Sequence, residues 1–376
     1  MLKRLFHFST IFLSMTIALT SCITSKSNLF ELINNQSGQI SSQRQLYVID
    51  DQIYYQTDKG FYQNNSQGKK IKIHDLNLTS CYKRDNWIYA MTDIANSAGY
   101  NTGNYLYDFI LRFTTSGEIE TVVDQAVSDV FYTEQKMFFS SFESETEEYA
   151  IYSCDYSGEN ITKLYQGKVG CWLATNESIL FIESDSNEGL TYLNQMDHEG
   201  QNKKNICVVS EREDGILSGS RVTTIMTLDS EIYFIYTLLD EDGEGPPTTQ
   251  LFYVSNSNRE EIIEKNGLIS FLLYDNKIYA RDSHNIVCYG SKGEEAKIIY
   301  QNSTSSILSP YISSDYIYFI IKSDKKEGVG RVKIANNEFE LIIDNLYKET
   351  NISYLNKNVP DCIRPKIGRA SCRERV

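Results

Sequence analysis

A short apolar-aromatic motif that returns seven times constrains the fold of this chain more than any other feature. The motif is an apolar residue followed by two positions that are mostly Tyr or Phe, and its copies lie about 44 residues apart on average. A repeat of roughly 40 to 50 residues has the length of one four-stranded propeller blade. The seven copies are Ile53–Tyr55, Ile88–Ala90, Met137–Phe139, Ile179–Phe181, Ile232–Phe234, Ile278–Ala280 and Ile317–Phe319.

Each copy carries the pattern of two β-hairpins. An alternating stretch and a polar turn precede the motif, as in "LYVIDDQIYY" and "SPYISSDYIYF", and a second hairpin follows most copies. Turns such as Ser116-Gly117 and Ser157-Gly158 use residues that tolerate positive φ. The sequence therefore predicts an all-β protein, a β-propeller of four-stranded blades over 46–346 with seven copies visible. An all-β sandwich is the alternative, although it does not require a repeated two-hairpin unit.

Four strand segments add a resemblance to a known family. Tyr54–Asp58, Tyr89–Asp93, Phe181–Asp185 and Ile320–Asp324 are similar to the Tyr-Trp-Thr-Asp signature of propellers of the low-density-lipoprotein-receptor type, without its tryptophan. The chain also resembles an uncharacterised group of bacterial lipoproteins with Tyr-rich propeller repeats. The resemblance implies a propeller fold and implies no particular activity.

The first residues have the layout of a secretory signal. Lys3 and Arg4 precede an uncharged, mostly apolar run from Leu5 to Leu19, which is short for a membrane span. The string Leu19–Cys22 resembles a bacterial lipobox, in which the cysteine thiol receives a diacylglycerol. We therefore expect a lipoprotein signal peptide at 1–21, lipidation at Cys22, and a lipid anchor at the outer face of a bacterial cell membrane. The alternative is an ordinary cleaved signal that ends near a cysteine.

Residues 22–45 have two interpretations. Leu29–Asn35, "LFELINN", closely matches "FELIIDN" at Phe339–Asn345, so it could donate a ring-closing outer strand to the last blade. The Ser, Asn and Gln content of this region equally fits a plain tether between the lipid and the domain.

The last residues raise a separate question about blade number and sequence origin. Residues 347–365 contain "NISYLNKNVPDC", which reads as the start of a truncated eighth blade. Residues 366–376, "KIGRASCRERV", match the translation of a common sequencing adapter, and we interpret them as an artefact outside the fold.

The charge of the chain limits its partners. The formal net charge is −14, and leaving out Lys3, Arg4 and the tail with its four basic residues and one Glu lowers it to about −19. A chain of this sign repels phosphate backbones, so nucleic acid is not expected as a partner. The predicted membrane attachment depends on the lipid rather than on a basic patch.

The sequence offers no recognisable catalytic or cofactor motif. His74, His198 and His284 are the histidines after the signal, and neither a G-x-S-x-G nor a zinc-like cysteine spacing occurs. We predict no cofactor and no metal. The favoured function is a non-enzymatic binding or scaffold protein for an unknown protein, peptide or glycan. The alternative is an exported carbohydrate-active hydrolase or lyase with acidic residues at the propeller channel.

Overall fold

The computed structural model describes a chain made of β-strands. Within its described part no helix is long and apolar enough to cross a membrane. The described residues are 46–57, 59–65, 68–93, 107–185, 188–210, 221–228, 231–238, 248–255, 258–264, 267–294, 296–347 and 353–354.

Seven antiparallel sheets follow one another along the chain, and each is a meander of four consecutive strands that we call blades 1 to 7. The blade 1 to blade 4 strands are β1 Leu46–Ile49, β2 Gln52–Thr57, β3 Gly60–Asn64, β4 Lys70–His74; β5 Asn77–Arg84, β6 Trp87–Asp93, β7 Ile110–Phe113, β8 Ile119–Val123; β9 Asp129–Tyr132, β10 Met137–Glu143, β11 Glu148–Cys154, β12 Thr162–Gly167; and β13 Val169–Ala174, β14 Ile179–Asp185, β15 Leu190–Met196, β16 Lys204–Ser210.

Blades 5 to 7 repeat the same arrangement, which confirms the predicted seven-bladed, all-β propeller. In every blade the repeated apolar-aromatic motif lies on the second strand. The remaining strands are β17 Arg221–Leu228, β18 Glu231–Leu238, β19 Thr248–Ser255, β20 Asn258–Glu264; β21 Ser270–Tyr274, β22 Lys277–Arg281, β23 Asn285–Gly290, β24 Lys297–Gln301; and β25 Ser306–Ser313, β26 Tyr316–Lys322, β27 Glu327–Lys333, β28 Phe339–Ile343.

The core lies between blades, because both faces of each sheet are apolar. In β10, Phe138 packs in a cluster with residues of blade 4, whereas its neighbours Met137 and Phe139 pack with residues of blade 2. Successive side chains of a strand point to opposite faces of the sheet, so one motif serves two interfaces. Burying each such side chain contributes roughly 1.5–3 kcal/mol, provided that a neighbouring blade covers it.

The ring closes directly between blades 7 and 1. Tyr47 on β1 is fully buried, and its ring centroid lies 6.1 Å from that of Tyr311 on β25. The Tyr47 hydroxyl also accepts a 2.7 Å hydrogen bond from the backbone N–H of Ser80 in blade 2. Since one side chain contacts both neighbouring blades, no further blade separates the seventh from the first.

The segment interpreted as the start of an eighth blade lies elsewhere. Ser353–Tyr354, β29, pairs in parallel with β4 at the rim of blade 1. The outermost position of blade 7 is occupied by its own strand β28. The segment Leu29–Asn35 and residues 366–376 lie outside the described residues, so the strand-donation, tether and artefact interpretations stay predictions.

We predict that Tyr47 is a stability hot spot at the closure. Tyr47→Phe should lower the free energy of unfolding by about 1–3 kcal/mol, because the buried Ser80 N–H loses its acceptor. Tyr47→Ala should cost about 3–5 kcal/mol through the cavity that it leaves. Urea denaturation of the full chain measures both effects. The control Tyr149→Phe alters an exposed tyrosine and should stay within about 0.5 kcal/mol; equal effects of Tyr47→Phe and the control would contradict the closure role.

Candidate functional site

Loops of two kinds meet at one end of the propeller, which we call the upper face. They are the connections between the second and third strands of each blade and those from the fourth strand to the next blade. In blade 3 the upper ends of the strands are marked by Asp129, Glu143, Glu148 and Gly167. The crossover from blade 3 to blade 4 has one residue, Lys168, between β12 and β13.

The blade 4 wall of the interface with blade 3 changes from apolar to polar toward the upper face. Phe181 on β14 packs on Tyr165 of blade 3, with ring centroids 4.8 Å apart. Glu183 and Asp185 follow at alternate positions of the same strand and therefore lie on the same side. On β15 the register partner of Glu183 is Tyr192. Polar groups thus occupy positions that are apolar deeper in the interface.

Hydrogen bonds organise these polar groups around the Glu183 carboxylate. It accepts hydrogen bonds from the Tyr165 hydroxyl, from the Lys203 ammonium and, at 3.2 Å, from the Asn194 amide. Lys203 also donates to the Tyr165 hydroxyl at 2.8 Å. Partial burial opposes the charge of Lys203, but the hydrogen bonds to Glu183 and Tyr165 outweigh it and raise the pKa of the lysine. The cluster forms a fixed polar floor.

Opposite this floor, blade 3 has a glycine at the end of its outer strand. A Cβ atom at Gly167 would come within 3.1 Å of a Glu183 carboxylate oxygen and of the Tyr165 ring. The missing side chain lets the Glu183 carboxylate and the Tyr165 ring approach the backbone at the end of β12. Gly170, on the other side of the crossover, is exposed. A Cβ at Gly170 would make only ordinary contacts with Ile182, so the close packing that requires a glycine is at Gly167.

An exposed aromatic pair lies beside this opening. Phe142 and Tyr149 are register partners near the upper ends of β10 and β11, and their ring centroids are 5.3 Å apart. Tyr149 also pairs with Gly167. Both rings lie on the side of the sheet that faces blade 4, because Phe138 and Ile151 on the same side belong to the core shared with blade 4. They are 48% and 38% exposed, respectively.

The space between these walls is a cavity of about 690 Å³ that extends toward the rim. Its lining includes the carboxylates of Glu148, Glu183, Asp185 and Glu188. Two lysines, Lys168 and Lys203, complete its charged groups. We call the cavity, with the adjacent pair Phe142 and Tyr149, the blade 3–4 groove. Its volume lies within the range of small-ligand pockets, but its walls are far more polar than is usual.

The inner end of the same interface carries an isolated carboxyl group. Among the seven described innermost strands, Asp129 on β9 is the one acidic residue. It is partly exposed, and burial raises its pKa to about 7. The thiol of Cys171 on β13 lies close enough to interact with it, and burial followed by the charge of Asp129 raises the pKa of this thiol to about 12.

The histidines considered from the sequence lie in three different blades. His74 is buried at the end of β4, where its Nδ1 accepts a 2.9 Å hydrogen bond from the Leu76 N–H, and burial lowers its pKa to about 4. His198, in the turn between β15 and β16 of blade 4, packs on Phe138, with ring centroids 4.8 Å apart. His284 lies exposed in blade 6. The structure does not bring these side chains together.

The predicted lipidation residue, Cys22, lies outside the described residues. Cys81, Cys154, Cys171, Cys207 and Cys288 are free thiols. In the described ranges, no group of three or more His, Cys, Asp or Glu side chains is arranged to hold a metal ion.

Comparisons with known proteins support the fold. No family model and no curated protein sequence matches the chain. A puromycin hydrolase structure aligns with a TM-score of 0.57 and 9% identity, over 85% of this chain and 56% of the hydrolase. A Mycobacterium tuberculosis puromycin-hydrolyzing peptidase aligns with a TM-score of 0.55 and 8% identity, over 83% of this chain and 55% of the peptidase. This chain therefore spans about half the length of these two peptidases.

A third solved structure of similar size shows the same architecture. An oligogalacturonate lyase from Vibrio parahaemolyticus aligns with a TM-score of 0.51 and 8% identity, over 77% of this chain and 89% of the lyase. At such identities the likeness shows a shared propeller fold.

The blade 3–4 groove was not predicted from the sequence. The string "FIESD" was noted only for its likeness to a propeller signature. The first signal for the groove is the alternation of Phe181, Glu183 and Asp185 in this string. Alternate residues lie on one side of a strand, so two carboxylates continue the side on which Phe181 is buried. "GKVG" at 167–170 is the second signal, because two glycines flank a blade crossover.

We predict that Asp129 makes the stability of the protein depend on pH. Its folded pKa, about 7, lies above its unfolded value near 3.9, so the folded state binds more protons and loses stability as the pH rises between these values. Asp129→Asn should therefore stabilise the protein by about 1–3 kcal/mol at pH 8 and by much less at pH 4.5. Thermal denaturation at both pH values measures this; a gain independent of pH would show that ionisation is not responsible.

Proposed function

We propose that this chain is a non-enzymatic binding protein, held by a lipid on Cys22 at the outer face of a bacterial cell membrane. Its propeller would present the blade 3–4 groove to a polar ligand of the cell envelope. The observation that carries the binding role is the cavity of about 690 Å³, whose walls are formed mainly by charged and amide side chains. The lipobox-like string Leu19–Cys22 supports the location.

The arrangement of the groove favours binding over reaction. The Glu183 carboxylate already accepts hydrogen bonds from Tyr165, Asn194 and Lys203, which fix its position at the floor of the groove. The carboxyl group with a raised pKa, Asp129, lies at the inner end of the interface. An exported glycoside hydrolase would need two carboxyl groups facing each other across the channel. The described innermost strands supply one acidic residue, Asp129, and therefore favour the binding role.

We predict that lipid attachment depends on Cys22. The full chain, expressed in a Gram-positive host fed an alkyne-tagged palmitate, should carry the label and sediment with membranes. Cys22→Ala should lose at least nine-tenths of the label and leave the membrane fraction, because the polypeptide has lost its acyl chains. Cys154→Ala is the matched control and should keep the label. A labelled, membrane-bound Cys22→Ala protein would overturn the proposed anchor.

A second prediction concerns the groove. Gly167→Leu should place a side chain between the two walls and weaken binding of the full chain to purified cell-wall sacculi about tenfold, as measured by co-sedimentation. Gln301→Leu is the matched control, because Gln301 is likewise the last residue of an outer strand and is exposed. Circular dichroism and melting temperatures check that both variants fold. Unchanged binding by a folded Gly167→Leu variant would count against the groove as the binding site.

A further inference from the structure

We infer that the blade 3–4 groove binds an oligosaccharide without acidic groups. This inference rests on the proposed binding function and adds the chemical class of the ligand. It depends on three properties of the groove: an exposed aromatic platform, a polar floor with fixed hydrogen-bonding groups, and a surplus of negative charge.

The aromatic platform consists of Phe142 and Tyr149. The two rings support each other at a centroid distance of 5.3 Å and an angle of 63°, which is an edge-to-face arrangement. They stay partly exposed, at 48% and 38%, although they lie on the blade face that is buried at Phe138 and Ile151. A sugar ring has an apolar face of C–H groups that can cover such an aromatic surface, while its hydroxyls point outward. The platform is therefore suited to one or more sugar units.

The floor supplies the hydrogen-bonding groups that sugar hydroxyls require. A hydroxyl donates one hydrogen bond and accepts others, so it needs acceptors and donors side by side. Glu183 and Asn194 provide a carboxylate and an amide held together at 3.2 Å. Lys203 adds a charged donor to the same cluster. Hydrogen bonds to charged partners are about twice as strong as neutral ones, which compensates for the loss of water from each hydroxyl.

The charge of the groove selects against acidic ligands. Four carboxylates face two lysines in the cavity lining, and Lys203 is already paired with Glu183. A uronate or phosphate group would meet a like charge in a partly enclosed space, where repulsion is stronger than in bulk water. Neutral sugars and amino sugars avoid this repulsion. The groove thus discriminates between glycans by charge as well as by shape.

A peptide ligand fits the walls less well. Extended peptides bind by pairing with a free strand edge or by placing apolar side chains in pockets. At the floor of the groove, the strand β14 is already paired on both sides, with β13 and β15. The cavity walls, next to which the aromatic pair lies, carry mainly charged and amide groups. A peptide is therefore an outcome of the test rather than the expected ligand.

Isothermal titration calorimetry of the full chain in detergent tests this inference. The probes are neutral hexasaccharides of glucose, mannose, xylose and N-acetylglucosamine, with a galacturonate hexamer and a lysine-containing wall peptide as comparisons. We expect at least one neutral hexamer to bind, and the galacturonate hexamer to bind at least tenfold more weakly. Tyr149→Ala should raise the Kd of the neutral ligand about tenfold through loss of stacking. Glu183→Gln should raise it by a similar factor.

Phe339→Ala is the matched control, because Phe339 is also an exposed aromatic residue but lies on the outer strand of blade 7. Its Kd should stay within twofold of the parent. Failure of all neutral hexamers to bind overturns the inference, as does equal binding of the galacturonate hexamer. If the wall peptide alone binds and Gly167→Leu abolishes it, the ligand class is wrong and the proposed function stands. If neither these probes nor sacculi bind, both the ligand class and the proposed binding function are contradicted.

Discussion

The fold of this protein depends on the fact that each blade is a thin sheet with two apolar faces. Phe138 and Phe139, adjacent on one strand, belong to cores shared with different blades, so neither side of blade 3 can be left uncovered. A linear array of such sheets would leave an apolar face open at each end, whereas a ring leaves none. Tyr47 occupies the point where the ring closes and contacts blades 7 and 2 from blade 1. The motif is thus repeated because the apolar faces of each blade must be covered by neighbouring blades. The ring has seven blades because the last blade packs directly on the first.

The groove is a local exception to that rule, and its physical origin lies in a few side chains. Along β14 the side facing blade 3 begins with the buried Phe181 and continues with Glu183. A carboxylate cannot be buried without donors, so the interface opens to solvent and supplies Tyr165, Asn194 and Lys203 as partners. Gly167 is needed on the other wall because a Cβ there would press on Glu183. Polar residues at core positions reduce the stability of a blade interface, and they are expected mainly where a function requires them.

The sequence predicts the architecture well because the signal for it is local and repeated. The motif Ile317–Phe319 lies on the second strand of its blade, as do all its copies, and period-2 alternation needs no knowledge of distant contacts. The groove could not be found in this way. Gly167 and Glu183 meet only after two blades have packed, and a Glu two positions after a Phe in a strand usually faces solvent at a blade end. The expected start of an eighth blade fails for the same reason. The sequence at 353–354 indicates a strand but does not indicate which strand it pairs with, and that partner is β4 of the first blade.

The position of Asp129 bears on both functional interpretations. A general acid must be protonated near neutral pH and must lie beside the reacting bond, and burial gives Asp129 the first property. Its neighbour across the interface is the Cys171 thiol, and burial raises the pKa of this thiol to about 12, which favours its protonated form at neutral pH. The carboxylates that could assist are on the second and third strands, beside the aromatic pair and nearer the rim. A ligand held by Glu183 and Tyr149 would therefore meet hydrogen-bond acceptors and an aromatic surface on the second and third strands, whereas Asp129 lies on the innermost strand.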